Sequence, residues 1–277
     1  MIRSASVPAR INIIGEHTDH FSGLALSFSS QHRLSLTATS NHTGSTGDET
    51  VVRLWKAAGG WDANLQLASE IPIGAGMSSS AALCVAVVMC SQNPSNKMET
   101  VIEAQRIEHE VLESNCGLLD QITITHASAK QATLIDFEHM TTEEFNLPAD
   151  WLFKLVDTGV RRKLGETDYS SKETSDGVRA RHAAEESNRV REALHCDVKR
   201  LGLILNESHT SISEKLHAST EEIDSIVRTI QRTPGVFGAR LMGGGFGGMV
   251  LALVEHQSVL PGSILVPSES AFIEEQL

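Results

Sequence analysis

The sequence predicts a mixed α+β chain in two parts, on three observations. Strand-like and helix-period segments follow one another without strict βα alternation. A turn of small residues opens an apolar helix in the first half, and a glycine run lies between two strand-like segments in the second. The character shifts near Pro148 from apolar to charged helices, so the expected division is 1–147 and 148–277.

Ser6 to Gly15 reads as a strand entering a turn. Further strands are expected at Leu24–Phe28, Arg33–Thr39 and Val51–Trp55, with a hairpin loop over Asn41–Asp48. The apolar helix runs from Ala81 to Gln92, and a second covers Met98–Glu113 before Asn115-Cys116-Gly117. A helix over Leu118–Ala129 and strands over Ala132–Phe137 and Trp151–Asp157 follow. In the second half, Asp176–Leu194 reads as a charged helix, and Val198–Asn206 and Ser211–Leu216 as two more. Ser219-Thr220-Glu221-Glu222 fits a capping box before Ile223, and Thr233-Pro234-Gly235 stops that helix. Gly238–Met242, Met249–Glu255 and Ser263–Val266 read as strands.

A chain of 277 residues buries a sizeable core, and 40% hydrophobic residues is ordinary for a globular protein. Its net charge of −12 lacks the basic field that a general nucleic-acid binder needs. The four cysteines form no CxxC pair and suit a reducing compartment. No charged-then-apolar leader opens the sequence, and no apolar run reaches about 18 residues. The expectation is therefore a cytoplasmic monomer that binds small molecules, with no nucleic-acid or membrane partner.

The most informative stretch is Ile71-Pro72-Ile73-Gly74-Ala75-Gly76-Met77-Ser78-Ser79-Ser80-Ala81-Ala82. Glycines let backbone N–H groups approach an oxyanion, and the opening helix adds its positive dipole end. Serines at the mouth cap the helix, donate to phosphate or ligate a metal held by it. There is no G-x-x-x-x-G-K-[ST], so this is not a Walker A loop. A plain capped helix after a glycine turn is the alternative.

Gly15-Glu16-His17-Thr18-Asp19-His20 packs acceptors and an imidazole into one turn, which suits a polyhydroxylated ligand. A metal site from His17, His20 and a carboxylate, or a simple Asx-rich turn, uses the same residues. Glu108 lies on a helix, and Asp120 opens the next one. A carboxylate at a helix N-terminus suits a base for a hydroxyl proton, leaving Glu108 to hold Mg²⁺; solvated helix charges are the plainer reading. Gly243-Gly244-Gly245-Phe246-Gly247-Gly248 contains a G-x-G-x-x-G, but no βαβ unit follows. Close backbone approach to a ligand or neighbouring loop explains it better. Tyr169, the one tyrosine, lies in a polar segment, where ligand contact and surface exposure are both open.

Together and in order, these pieces resemble the GHMP sugar and isoprenoid kinases, and within them the galactokinases. Three motifs carry the likeness: Pro8 to Asp19, the loop at 72 to 81, and Gly238-Ala239-Arg240-Leu241-Met242 running into Gly243 to Gly248. Weaker likeness lies in Glu108-His109 with Cys116-Gly117-Leu118-Leu119-Asp120-Gln121, in Ser208-His209 and in Val266-Pro267-Ser268. The resemblance implies a two-domain fold with its active site in the cleft between an N-terminal and a C-terminal mixed α/β domain. It implies ATP and Mg²⁺ as reaction partners and galactose as the sugar, phosphorylated at its anomeric hydroxyl. Asp120 is then the base or electrostatic anchor, with Arg10 beside it. Ser80 and Glu108 hold Mg²⁺. Gly74, Ala75, Gly76, Met77, Ser78, Ser79, Ser80 and Ala81 wrap the nucleotide phosphates. Glu16, His17, Asp19, Gly117 and Tyr169 contact the sugar.

Departures from the family pattern are also present. The stretch between Asp19 and Gly74 is short, leaving Trp55 and Trp61 as candidates for adenine stacking. His20-Phe21-Ser22 follows the first motif where the family has Tyr-Asn, and Met242 stands where it has Thr. The usual Arg-Arg and Cys-Glu after Tyr169 are missing. Two alternatives follow: a non-catalytic sensor of galactose and ATP, and a GHMP kinase for another small sugar.

Overall fold

A computed structural model describes residues 1–72, 76–161 and 175–276. Gly74 and Ala75 of the glycine turn, and Tyr169, lie outside the described residues.

The spine is a long antiparallel pair, β1 (Ile2–Ile14) and β2 (Leu24–Ser40). β1 is buried along nearly its whole length, which fits its run of Val, Ala and Ile between two covered faces. The two strands expected at Leu24–Phe28 and Arg33–Thr39 are one. Pairing with β1 continues through polar Ser29 to His32 by a register shift near Pro8 and Arg10. That irregularity lets the first part of β2 pair with β4 (Gln131–Asp136) and its last part with β3 (Ala63–Ser69). β5 (Thr141–Asn146) extends the β4 edge.

The strand expected at Val51–Trp55 is a helix, α1 (Glu49–Ala57). Asp48 caps it by accepting from Thr50 N and Val51 N, and buried Val51, Leu54 and Trp55 share one face. Trp55 has no exposed surface. Its indole N–H donates to Trp61 O at 2.6 Å, and the two rings meet edge to face. Arg3 covers the Trp61 ring from 5.1 Å. Trp55 is thus a core residue and has no face for a base to stack on.

α2 (Ser79–Ser91) is apolar on all sides and packs under β1 and β2. α3 (Lys97–Leu112) and α4 (Leu119–His126) lie beside it. The second sheet has three antiparallel strands in the order β6 (Leu152–Asp157), β8 (Met249–Val254), β7 (Val236–Leu241). α5 (Asp176–Ala193) lies between α6 (Val198–Glu214) and the β1–β2 pair, while α6 and α7 (Glu221–Gln231) pack on this second sheet. α6 runs unbroken through Glu207–Thr210, where two helices were expected. Its polar Ser208, His209 and Ser211 face inward and are buried. Ser263–Val266 forms no strand. The chain instead returns to the first sheet, where β9 (Phe272–Gln276) pairs with β1. The segment 148–277 therefore contributes to both sheets. No described helix is long and apolar enough to cross a membrane.

Candidate active site

Arg10 projects from β1, and Asp120 from the first turn of α4. Arg10 Nε donates to Asp120 Oδ1 at 2.7 Å, and Nη2 lies 2.5 Å from the same oxygen. Nη1 donates to the carbonyl of Gly76 at 3.1 Å, tying the pair to the glycine turn. The Arg10 side chain is 5% exposed and that of Asp120 is 24% exposed, so the pair has an open side at the carboxylate. Burial pulls the Arg10 pKa down, but the charges of Asp120 and Glu16 more than offset it and hold it above its ordinary value.

Ser78 enters α2 in the left-handed conformation at φ 63° and makes no side-chain cap. Its hydroxyl is buried without a hydrogen-bond partner. An uncapped helix start beside an orphaned hydroxyl leaves donors free to meet an acceptor. Ser80, the second residue of α2, hydrogen-bonds Glu108 on α3. Gln121 Nε2 donates to Glu108 Oε2 at 2.8 Å, and the Cys116 thiol bonds the same carboxyl. Burial pushes Glu108 up to about 7, with Asp120 adding to the rise. A desolvated carboxyl of this kind suits a cation as neighbour.

The turn after β1 carries Glu16, His17 and Asp19. Asp19 Oδ2 accepts from Leu119 N at 3.4 Å, and a β-carbon at Gly117 would sit 1.9 Å from that same oxygen. A side chain at 117 would therefore push Asp19 aside. Burial raises the Asp19 pKa. His17 has φ 61°, and burial lowers it to about 3. Glu16 Oε1 accepts from Gly243 N at 2.7 Å and pairs with Arg240 at 3.3 Å. Burial opposes ionisation of Glu16, yet Arg240 and Arg10 bring it down to about 2.

Arg240 on β7 is fully buried and also donates to the carbonyls of Asn12, Ile13 and Leu241. The glycine run that follows it touches the phosphate turn. A β-carbon at Gly76 would lie 2.8 Å from Met242 O, and one at Gly243 would lie 3.1 Å from Gly76 Cα. All three sequence motifs therefore meet around one cleft. Among the described residues, no three His, Cys, Asp or Glu side chains are grouped to hold a metal ion.

Comparison with known proteins follows the same geography. The family of the GHMP kinases N terminal domain matches residues 48–128, and that of the GHMP kinases C terminal matches 190–260, together more than half of the chain. The chain belongs to the GHMP kinase family. The galactokinase galactose-binding signature matches 3–38, the span of β1, its turn and most of β2. This GHMP kinase is 29% identical to the galactokinase of Mycobacterium bovis, covering 92% of this chain and 89% of that one. It is 28% identical to that of Thermotoga maritima, covering 89% and 87%. The Mycobacterium bovis alignment runs over 325 positions, more than the 277 residues here, so that relative carries segments this GHMP kinase lacks. The crystal structure of Lactococcus lactis galactokinase complexed with galactose overlays with a TM-score of 0.82 at 24% identity, over 98% and 95% of the two chains. L. major mevalonate kinase in complex with R-mevalonate overlays at 0.71 and 17% identity, over 96% of each.

Of the residues expected at the site of this GHMP kinase, three groups are in direct contact, Arg10 with Asp120 and Gly76, Ser80 with Glu108, and Asp19 with Gly117, and the charge of Asp120 acts on Glu108 and that of Asp19 on Arg10. Glu16 is close to them but faces Arg240 and Gly243 with one oxygen. Sequence reasoning gave no role to Arg240, Gln121 or the inward face of α5. Arg240 lay inside a quoted motif. The α5 face was hidden because its buried stripe includes His182, Glu186 and Ser187, which read as solvent-facing.

Proposed function

We propose that this GHMP kinase transfers the γ-phosphoryl group of ATP to the anomeric hydroxyl of galactose. The observation that carries the reading is the Arg10–Asp120 pair, bonded to the glycine turn on one side and lying beside the Asp19–Gly117 contact on the other. The galactokinase galactose-binding signature over 3–38 supports galactose as the acceptor.

Each residue then has a part set by its surroundings. Asp120 accepts the proton of the attacking hydroxyl at Oδ2, while Oδ1 stays with Arg10. Arg10 orients that carboxylate and brings positive charge to the path of the phosphoryl group, in a protein whose net charge is negative. The uncapped start of α2, with Ser78 and Ser79, receives the phosphates. Gly74, Ala75, Gly76, Met77 and Ala81 complete that wrap. Ser80 and Glu108 fit Mg²⁺ as hydroxyl and carboxylate oxygens, and the cation would neutralise the polyphosphate. Asp19, His17, Glu16, Gly117 and Tyr169 form the sugar side.

The test is a coupled ADP-release assay with ATP, Mg²⁺ and a panel of hexoses. Galactose-dependent release that disappears in Asp120→Ala is the expected result. Preference for another hexose would move the acceptor, and binding without ADP release would make the protein a sensor.

A further inference from the structure

The buried stripe of α5 carries three polar side chains, His182, Glu186 and Ser187, among Ala183, Val190 and Ala193. All three bond to the main chain of one short segment, residues 15–24. His182 Nε2 lies 3.1 Å from the carbonyl of Glu16 and Nδ1 lies 2.8 Å from Ser211 Oγ. A carbonyl only accepts, so Nε2 carries the proton and Nδ1 accepts from Ser211. Glu186 Oε1 accepts from Gly15 N at 3.3 Å. That carboxylate is itself held by Ser208 at 2.5 Å and Arg189 at 2.7 Å. Ser187 Oγ accepts from Leu24 N at 3.0 Å and donates to Ala183 O at 2.7 Å. A β-carbon on Gly23 would approach Ser187 Oγ to 2.7 Å, so helix and turn are in close contact there.

α5 thus grips both ends of the segment and its Glu16 carbonyl. Between the grips lie Glu16, His17 and Asp19. His17 at φ 61° and Ser22 at φ 52° hold left-handed conformations that non-glycine residues keep only where surroundings impose them. Among the described residues, no hydrogen bond or ion pair joins Arg10, Asp120, Glu108 or Ser80 to α5. The grip therefore acts on the turn directly, and on Arg10 only through the charges of Glu16 and Asp19.

We propose that His182, Glu186 and Ser187 are positioning residues for sugar recognition: α5 sets the main-chain path of the 15–24 turn and through it the affinity for the hexose. This rests on the reading of that turn as the sugar side of the site.

Steady-state kinetics with each substrate varied separately tests the idea, alongside thermal unfolding with and without galactose. His182→Leu should raise KM for galactose about tenfold, the equivalent of one lost buried hydrogen bond and its stranded acceptor. KM for ATP should stay at the wild-type value and kcat within about twofold of it, since the reacting groups are untouched. His182→Gln, which places an amide donor near the position of Nε2, should recover most of the loss. Ser187→Ala, a milder change, should raise KM for galactose about threefold and shrink the galactose-induced rise in unfolding temperature. An unchanged KM for galactose in His182→Leu, or equal shifts for both substrates, overturns the proposal. If His182→Leu does not fold, Ser187→Ala decides on the same criteria. Should wild-type protein phosphorylate no hexose, the kinase reading fails separately. Calorimetric galactose titration of wild type and Ser187→Ala then decides: weaker binding by the variant supports the grip, and equal or absent binding overturns it.

Discussion

Arg10 and Arg240 are both buried guanidiniums beside the same cleft, one from each sheet, and they are held in opposite ways. Arg240 donates to the carbonyls of Asn12, Ile13 and Leu241 and to a carboxylate that is itself fixed to Gly243 N. Three of these partners are main-chain carbonyls, and the fourth, Glu16, is pinned by Gly243 N. Arg10 instead faces Asp120, whose carboxylate is 24% exposed, and the carbonyl of Gly76 in the phosphate turn. Its partners are the groups proposed to meet substrate. The same fork of donors thus ties the two sheets together in one region and, on the proposed reading, serves chemistry in the other. The glycine run that follows Arg240 lies against Gly76.

The sharpest way to break this contrast is at Asp120. Asp120→Asn keeps the shape but removes the proton acceptor, so kcat should fall about a thousandfold. Its unfolding temperature should fall as well, because Arg10, 5% exposed, is left beside a neutral amide. A drop in kcat of less than tenfold would remove Asp120 from the chemistry and make the Arg10 pair a structural one. Arg240→Met should act chiefly on stability. It removes the ion-pair partner of buried Glu16 and should cost on the order of 3–5 kcal/mol, read by chemical denaturation. Adding Glu16→Gln to Arg240→Met should recover part of that loss, because the stranded charge is gone. Simple additivity of the two would show that they do not act as a pair.

The two site carboxylates also differ in how pH should act on them. Glu16 falls from 4.5 to about 2 on folding, so the native state binds fewer protons than the unfolded chain between those values. Its contribution is fully present above 4.5 and is lost as pH falls toward 2. Glu108 rises from 4.5 to about 7, so the native state binds more protons, and stability declines as pH rises through that window. Thermal unfolding followed from about pH 2 to about pH 8 separates them. Glu16→Gln should be less stable than wild type at neutral pH, with a gap that narrows on acidification. Glu108→Gln should flatten the decline between 4.5 and 7. A wild-type curve without that decline would mean that Glu108 is not desolvated as described.

Gly117→Ala is a smaller and more local change. Its β-carbon would meet Asp19 Oδ2 at 1.9 Å, so Asp19 must shift away from Leu119 N. KM for galactose should rise about tenfold while KM for ATP holds, since roughly one hydrogen bond and its geometry are lost. Equal effects on both substrates would show that the loop before α4 serves the whole cleft.

The sequence made the reacting side of the molecule readable and left its frame obscure, for a physical reason. Arg10, Ser80, Glu108 and Asp120 stand out because they fall within the stretches that resemble the GHMP kinases; taken singly, Glu108 and Asp120 read more plainly as solvated helix charges. Their convergence depends on long-range pairing of β1 with β2 and of α3 with α4, which order along the chain suggests but local pattern does not encode. The frame relies on polar residues facing inward. Ser208, His209 and Ser211 on α6, and His182 and Glu186 on α5, are buried and bonded. By composition alone the same residues mark a solvent face or a break, so α6 read as two helices. Ser29 to His32 misled in the same way, splitting β2 at the point where it only shifts register. β9 escaped notice because a strand that returns from the far end of the chain carries no local sign of its partner.

α1 offers the mildest test, and it bears on the same lesson. Val51-Val52-Arg53-Leu54-Trp55 is rich in branched and aromatic residues, which favour strands, yet it is helical. Two features outweigh that preference: the Asp48 cap on Thr50 N and Val51 N, and the burial of Val51, Leu54 and Trp55 on one face. Asp48→Ala removes only the first and should lower stability by about 1 kcal/mol. KM and kcat should not change, because α1 carries no residue of the cleft. If the loss reached several kcal/mol, or if catalysis fell with it, the cap rather than the packed face would be what keeps this segment from the strand that its composition favours. α1 would then belong with the frame of the site and not outside it.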